Sequence, residues 1–239
     1  MISCENLKVG YEERVIIDNL SLSIKKGEVV SIIGPNGCGK STLLKSLSRM
    51  IKPISGDIYI QNENIKSLKS KTISQKVCLL SQHNDAPGDL TVEELVNWAI
   101  ENTGLTRYKN TPISSLSGGE RQRAYIAQAL CQKPDVLLLD EPTTYLDISY
   151  QLELMELVRE INEKLNITIV MVLHELNQAS KYSDRLVIMK SGEIVSDGCP
   201  KEIINKETIK KVYNIDCDID NDPISNKPRI HPIQTIKIA

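Results

Sequence analysis

The chain has 239 residues, with 29 Lys and Arg against 31 Asp and Glu, a formal net charge of -2, six cysteines, one tryptophan and no phenylalanine. This length holds one large domain with a core kept together by burial alone, and the near-neutral charge argues against a basic groove for nucleic acid or an anionic membrane surface. No window approaches the roughly 18 consecutive apolar residues of a spanning helix, and Met1-Ile2-Ser3-Cys4-Glu5-Asn6 has neither a basic region nor an apolar signal core, so a cytosolic location is expected. The cysteines (Cys4, Cys38, Cys78, Cys131, Cys199, Cys217) include no C-x-x-C pair. Reduced thiols are expected rather than a zinc knuckle or a disulfide scaffold.

Residues 2 to 33 alternate short β-like runs with turns: Ile2 to Val9, Arg14 to Ile17, Leu20 to Ile24 and Val29 to Ile33. They predict an antiparallel edge feeding a buried strand. Between the first two runs stands Gly10-Tyr11, an aromatic that by itself reads as packing. Directly after Ile33 comes Gly34-Pro35-Asn36-Gly37-Cys38-Gly39-Lys40-Ser41-Thr42, of the form G-x-x-x-x-G-K-[ST], followed by Leu43, Leu44 and Leu47 at helical spacing. Strand, glycine loop, helix is the context of a phosphate site. Glycines let successive N–H groups point into one concavity, and the helix that follows offers the positive end of its dipole. Lys40 would reach the outer phosphates of a nucleotide, and Ser41 would ligate a magnesium ion bridging them.

Lys52-Pro53-Ile54-Ser55-Gly56 ends that helix, and Asp57 to Ile60 alternates as a strand. The apolar run Val77 to Leu80 leads to Ser81-Gln82-His83. Gln82 at the exit of a buried strand is placed to face a site, although alone it reads as a loop amide, and His83 reads as exposed. Asp85 to Asp89 is loop, and Thr91-Val92-Glu93-Glu94-Leu95 opens a helix with a capping-box-like start. Residues about 85–132 predict a small helical subdomain inserted in an α/β core. Within it, Leu116-Ser117-Gly118-Gly119-Glu120-Arg121-Gln122-Arg123 precedes an apolar helical pattern and makes a second glycine-rich helix start.

Val136 to Leu139 runs into Asp140-Glu141-Pro142, and Ile167 to Leu173 runs into His174-Glu175. The wholly apolar first run and the second, apolar but for Thr168, suit strands covered on both faces. Their polar ends then lie at the carboxyl edge of a parallel sheet, where open α/β folds bind ligands. Arg185 to Met189 and Glu193 to Ser196 predict a hairpin. Beyond Cys199-Pro200 come two short helices, Lys201 to Asn205 and Glu207 to Tyr213, and a tail that reads as a small appendage or covering strand, its acidic run, Asp216 to Asp222, reading most simply as a solvated loop.

The glycine loop, Gln82, the Asp140-Glu141 pair and His174 thus converge on one edge of a mainly parallel α/β sheet. With Leu116 to Arg123 upstream of Val136 to Pro142, residues 1 to 213 resemble the nucleotide-binding subunit of ATP-binding cassette (ABC) transporters. The resemblance implies a P-loop NTPase core with a mainly parallel sheet, an antiparallel β edge subdomain, a shortened helical subdomain, and an appendage over residues 214–239. It implies that Gly34, Asn36, Gly37, Cys38, Gly39, Lys40, Ser41 and Thr42 hold ATP and that Tyr11 stacks on adenine. Asp140 would hold Mg2+ with Ser41 and Gln82, Glu141 would orient the attacking water, and His174 would contact the γ-phosphate. Ser117, Gly118 and Gly119 would close on the nucleotide of a second copy, with Asp147 coupling the two sites. Lys40, Glu141, His174 and Gln82 are therefore the expected catalytic group.

The same resemblance implies a homodimer attached at the cytoplasmic face of the cell membrane to integral permease subunits, served by a substrate-binding protein and without nucleic acid. Thr144-Tyr145 and Asn177-Gln178-Ala179 resemble importers of iron(III)-siderophores, haem or cobalamin, which makes ferric siderophore the expected cargo. An exporter subunit or a nucleotide-sensing module without catalysis is the alternative; intact Lys40, Glu141 and His174 weigh against the second. Two departures stand out: Glu175 occupies a position where the family often has Asp, and the interval from Gln82 to Ser117 is shorter than in this subfamily.

Overall fold

The structure, a computed structural model, describes residues 1–12, 14–80 and 97–236. The chain opens with two long strands, β1 (Ile2–Tyr11) and β2 (Arg14–Ile24), paired antiparallel with register shifts between Cys4 and Leu7, Leu7 and Val9, and Val9 and Gly10. The two runs expected on either side of Asp18-Asn19 form this single strand. Asn19 takes a positive φ of 60°, so the polar pair bends the ladder instead of ending it. Then come β3 (Val29–Ile33), the glycine loop and α1 (Lys40–Leu47). Next, β4 (Ser55–Ile60) and β5 (Glu63–Asn64) complete a four-stranded antiparallel sheet in the order β2-β1-β4-β5.

The second sheet is built from strands at the positions the apolar runs predict. After α2 (Ser70–Lys76) come β6 (Val77–Leu80), β7 (Val136–Asp140), β8 (Thr168–Val172), β9 (Arg185–Lys190) and β10 (Glu193–Gly198). Together with β3 they form the order β10-β9-β3-β8-β7-β6, parallel except for the antiparallel edge β10. Every residue of β3, β7 and β8 is buried, as strands covered on both faces require. The two-residue period sorts their side chains. Val30, Ile32, Leu138, Val170 and Val172 join the core shared with α1 and the antiparallel sheet. Val29, Ile33, Leu137, Leu139, Ile169 and Met171 join a second core on the other face.

That second core is roofed by helices. They are α3 (Asn97–Asn102), α4 (Gly118–Leu130), α5 (Ile148–Leu165), α6 (Leu176–Tyr182), α7 (Pro200–Ile203) and α8 (Lys206–Tyr213). Among the described residues, the expected helical subdomain consists of α3, two single 3-10 turns (Thr106–Tyr108 and Ile113–Ser115) and α4. Its beginning, including the capping-box start at Thr91 to Leu95, lies outside the described residues. The chain ends in a two-stranded hairpin, β11 (Ile215–Asn221) and β12 (Pro228–Thr235). The tail is therefore the strand-like appendage expected of it, and its acidic run is strand and not solvated loop: Asp216, Asp218 and Asp220 point outward, while Cys217 is 1% exposed and packs beneath. All six cysteines are free, with Cys4, Cys38 and Cys217 buried.

Candidate active site

At the carboxyl end of β3 the backbone turns through Gly34, whose φ of 154° and close approach to Met189 leave no room for a side chain. A Cβ at this position would lie 2.2 Å from the Met189 carbonyl oxygen. The loop ends at Gly39, with φ 105° and no side-chain cap, so α1 begins with its first N–H groups aimed at the cleft above it. Lys40 is only 5% exposed, and its ammonium donates to the carbonyls of Gly34 at 2.9 Å and Pro35 at 3.1 Å, folded back along the loop it is expected to help. Cys38 is buried below the loop. Burial pushes its thiol pKa up, and the nearby Lys40 charge offsets this only in part.

The ends of β7 and β8 complete the cleft. Ser41 Oγ donates to Asp140 Oδ1 at 2.8 Å, across 99 residues of sequence. Burial raises the Asp140 pKa, opposed by the Ser41 hydrogen bond and by the charges of Lys45 and Lys40. Two hard oxygen donors side by side at the foot of a phosphate loop suit a magnesium ion, which takes oxygen ligands and keeps several waters. Beside them Glu141 sits at φ 55°, a left-handed conformation that costs a non-glycine residue about 1–3 kcal/mol. It is held there by its N–H to the Val172 carbonyl at 3.2 Å and by Thr144 Oγ1 donating to its Oε2 at 3.3 Å. The strained backbone turns the carboxylate toward His174, whose Nε2 lies 2.6 Å from Glu141 Oε1.

A cleft of about 480 Å³ is lined by Asn36, Gly37, Gly39, Lys40, Ser41, Thr42, Glu141 and His174, residues expected to form the site, and also by Arg14 and Ile16. Tyr11 is half exposed on β1 and does not line the cleft, whereas its cross-strand partner Arg14 does. Neither Arg14 nor Ile16 was singled out from the sequence. The signal was their neighbourhood, since β2 crosses the mouth of the glycine loop and Gly39 packs against Ile16 and Ile17. Gln82 lies outside the described residues.

Ser117, Gly118 and Gly119 do not line this cleft. Ser117 is the N-cap of α4 in a capping box: its hydroxyl accepts from Glu120 N–H, and its own N–H donates to Glu120 Oε2 at 3.0 Å. Gly119 is needed locally, because a Cβ there would come within 2.4 Å of the Tyr150 ring, while one on Gly118 would meet nothing nearer than Leu146 at 3.5 Å. Asp147 is the exposed N-cap residue of α5 and makes no side-chain capping bond. Next to it Tyr145 and Ile148 stand in solvent, 89% and 77% exposed. Glu175 caps α6, its Oε2 accepting from Gln178 N–H at 2.9 Å, so the longer carboxylate still reaches the helix start.

A family model described as ABC transporter matches residues 17–144. The chain is 41% identical to the iron(3+)-hydroxamate import ATP-binding protein FhuC of Bacillus subtilis, over 95% of this chain and 93% of that protein. It is also 41% identical to the ferric enterobactin transport ATP-binding protein FepC of Escherichia coli, over 96% and 93%. The FhuC alignment runs to 249 positions, more than the 239 residues of this chain, so the relative carries residues with no counterpart here. Among solved structures, cbiO1 from Clostridium perfringens, part of the ABC transporter complex cbiONQ, superposes with a TM-score of 0.79 at 29% identity, covering 88% of this chain and 92% of that one. The dimeric post-hydrolysis state of the ATP-binding cassette MJ0796 bound to ADP and Pi superposes at 0.74 and 29% identity, covering 83% and 98%.

Proposed function

Because the chain belongs to the ABC transporter family and is an ATP-hydrolysing subunit of it, we propose that it drives uptake of a ferric siderophore through separate membrane permease subunits. The cargo rests on relatives named for iron(3+)-hydroxamate and ferric enterobactin transport, and on the Thr144-Tyr145 and Asn177-Gln178-Ala179 stretches. The protein works at the cytoplasmic face of the cell membrane, held there by the permease. No described helix is long and apolar enough to cross a membrane.

The contact between Glu141 and His174 carries the mechanism. A carboxylate and an imidazole 2.6 Å apart, at the rim of a cleft floored by Lys40 and the start of α1, can both reach one reacting phosphorus. The first turn of α1 and Lys40 bind and orient the phosphates, with Asn36, Gly37, Gly39 and Thr42 around them and the backbones of Gly34 and Cys38 shaping the loop. Tyr11 and Arg14 flank the nucleoside end. Ser41 and Asp140, with Gln82, would hold Mg2+, which when bound would neutralise charge on the phosphate oxygens. Glu141 aligns a water and accepts its proton as the water oxygen bonds to the γ-phosphorus; the bond from that phosphorus to the bridging oxygen breaks, and ADP leaves. His174 then donates to the γ-phosphate oxygens. The site is finished by Ser117, Gly118 and Gly119 of a second copy in a head-to-tail homodimer, with Asp147 and the exposed Tyr145 and Ile148 at the same seam.

Glu141→Gln keeps the shape and removes the base. ATP binding should survive while turnover falls about 10²–10⁴-fold, the range of general-base catalysis; near-normal turnover would remove Glu141 from its role. For the cargo, the reconstituted complex should show ATPase stimulated by a binding protein loaded with a ferric siderophore. Stimulation only by a haem- or cobalamin-loaded protein would reassign it.

A further inference from the structure

Asn177 and Gln178 are adjacent, yet their side chains reach opposite flanks of α6. The Asn177 amide imitates a strand: its Oδ1 accepts from Ile230 N–H at 2.7 Å and its Nδ2 donates to the Ile230 carbonyl at 3.1 Å. Ser180 adds a buried bond from its Oγ to the Pro228 carbonyl at 2.7 Å, and the Lys227 ammonium donates to the Ser183 carbonyl. This flank is fastened to β12. On the other flank Gln178 Nε2 donates to Gln151 Oε1 at 2.6 Å, and Gln151 Nε2 donates to the Leu146 carbonyl at 2.9 Å. Gln151 lies in the first turn of α5, and Leu146 in the bend between Glu141 and that helix. The bend also carries Thr144, which bonds Glu141, and the exposed Tyr145 and Asp147.

Each end of the hydrolytic pair is thus anchored to one end of the same two-amide chain. His174 lies just before α6, a helix of seven residues with few backbone bonds of its own. Glu141 lies just before the bend. We propose that Gln178 and Gln151 are positioning residues that tie the helix after His174 to the bend after Glu141, so that the two groups keep their mutual geometry when the bend is drawn into the dimer seam. The terminal hairpin is the backstop, since Asn177 and Ser180 prevent α6 from yielding when the bend pulls on Gln178. The proposal rests on reading Glu141 and His174 as the hydrolytic pair.

A second observation separates this role from plain stability. Gln178 Oε1 is buried without a hydrogen-bond partner among the described residues, so the amide carries a desolvation cost that an apolar side chain of equal length would not. Gln178→Met should therefore leave the thermal midpoint unchanged or higher. In contrast, small misplacements of reacting groups cost large factors in rate. We expect kcat to fall about tenfold with the KM for ATP unchanged, and the loss in Gln151→Met/Gln178→Met to equal that in either single variant, as in one chain of bonds. Unchanged kcat in Gln178→Met, or losses that multiply in the double variant, would overturn the proposal. His174→Ala, assayed alongside, separates the two failures. If it turns over normally, the hydrolytic reading is wrong; if it is inactive while Gln178→Met is normal, only the coupling is wrong.

Discussion

At Gly39 a helix begins on a left-handed glycine with no side chain to cap it, and its first N–H groups open on a cleft of about 480 Å³. At Ser117 a second glycine-rich helix start is closed by its own capping box with Glu120, and its residues line no part of that cleft. Both stretches read from the sequence as anion-binding helix ends. The difference lies in the caps and in the place: the loop at Gly34 to Thr42 ends on an uncapped Gly39 beside the cleft, whereas Ser117 and Glu120 bond each other's backbone N–H groups, a capping box that bonds neither the Gly118 nor the Gly119 N–H. What separates the two starts is therefore less the cap than the place: one opens on the cleft of its own chain, and the other lines no part of it.

The sharpest way to break this comparison is to disable each start in turn. Lys40→Ala should abolish ATP binding and lower turnover by about 10²–10³-fold or more, since it removes the buried cation from the phosphate cradle. Ser117→Arg should leave ATP binding by the monomer intact, cost about 1 kcal/mol through the lost cap, and still abolish turnover by blocking the seam. Mixing the two inactive variants should recover hydrolysis, because one of the two sites in a mixed dimer keeps both an intact Lys40 and an intact Ser117. No recovery would mean that the cleft is completed within one chain.

A smaller effect tests why the glycines are there. Gly119→Ala drives a Cβ into the Tyr150 ring at 2.4 Å and should destabilise by about 1–3 kcal/mol, the usual cost of overpacking. Tyr150→Ala in the same background should return most of that loss in a thermal melt. Gly118→Ala meets only Leu146 at 3.5 Å and should change stability by no more than about 0.5 kcal/mol, so any loss of turnover it causes belongs to the partner-facing surface.

The smallest effect lies far from both starts, in the hairpin that backs α6. Hydrogen bonds from Arg229 and then His231 hold the Asp220 carboxyl at about 2, below its ordinary 3.8. A depressed carboxylate adds stability that is complete above 3.8 and is lost as pH falls through about 2. Its NMR titration midpoint should lie near the lower value and return toward the higher one in Arg229→Ala. Because the group is exposed, the change in global stability should be slight.

Much of the site is legible in the sequence because each part of it is local. A glycine loop between an apolar run and a helical pattern, or a carboxylate pair at the end of four buried aliphatics, is complete within about ten residues, and a parallel sheet then carries all such ends to one edge. Arg14 and Ile16 escape that reading because their approach to the loop depends on how β2 bends over it, through register shifts no alternation pattern announces. The acidic tail misleads for a different reason. Its charges suggest a solvated loop, yet with Cys217 and Ile219 between them they alternate as a strand with one buried face.

The sequence by itself determines that this is an α/β fold with a glycine loop between strand and helix, which strand ends carry the carboxylate pair and the imidazole, and which family it belongs to. Only the tertiary structure decides that Glu141 is strained toward His174, that Ser117 caps its own helix, and that Asn177 and Gln178 pull in opposite directions. The physical reason is distance along the chain: the bonds from Asn177 to Ile230 and from Gln178 to Gln151 span 53 and 27 residues. Hydrogen bonds between such separated groups exist only once both cores have packed and brought the strands, the bend and the hairpin to one place.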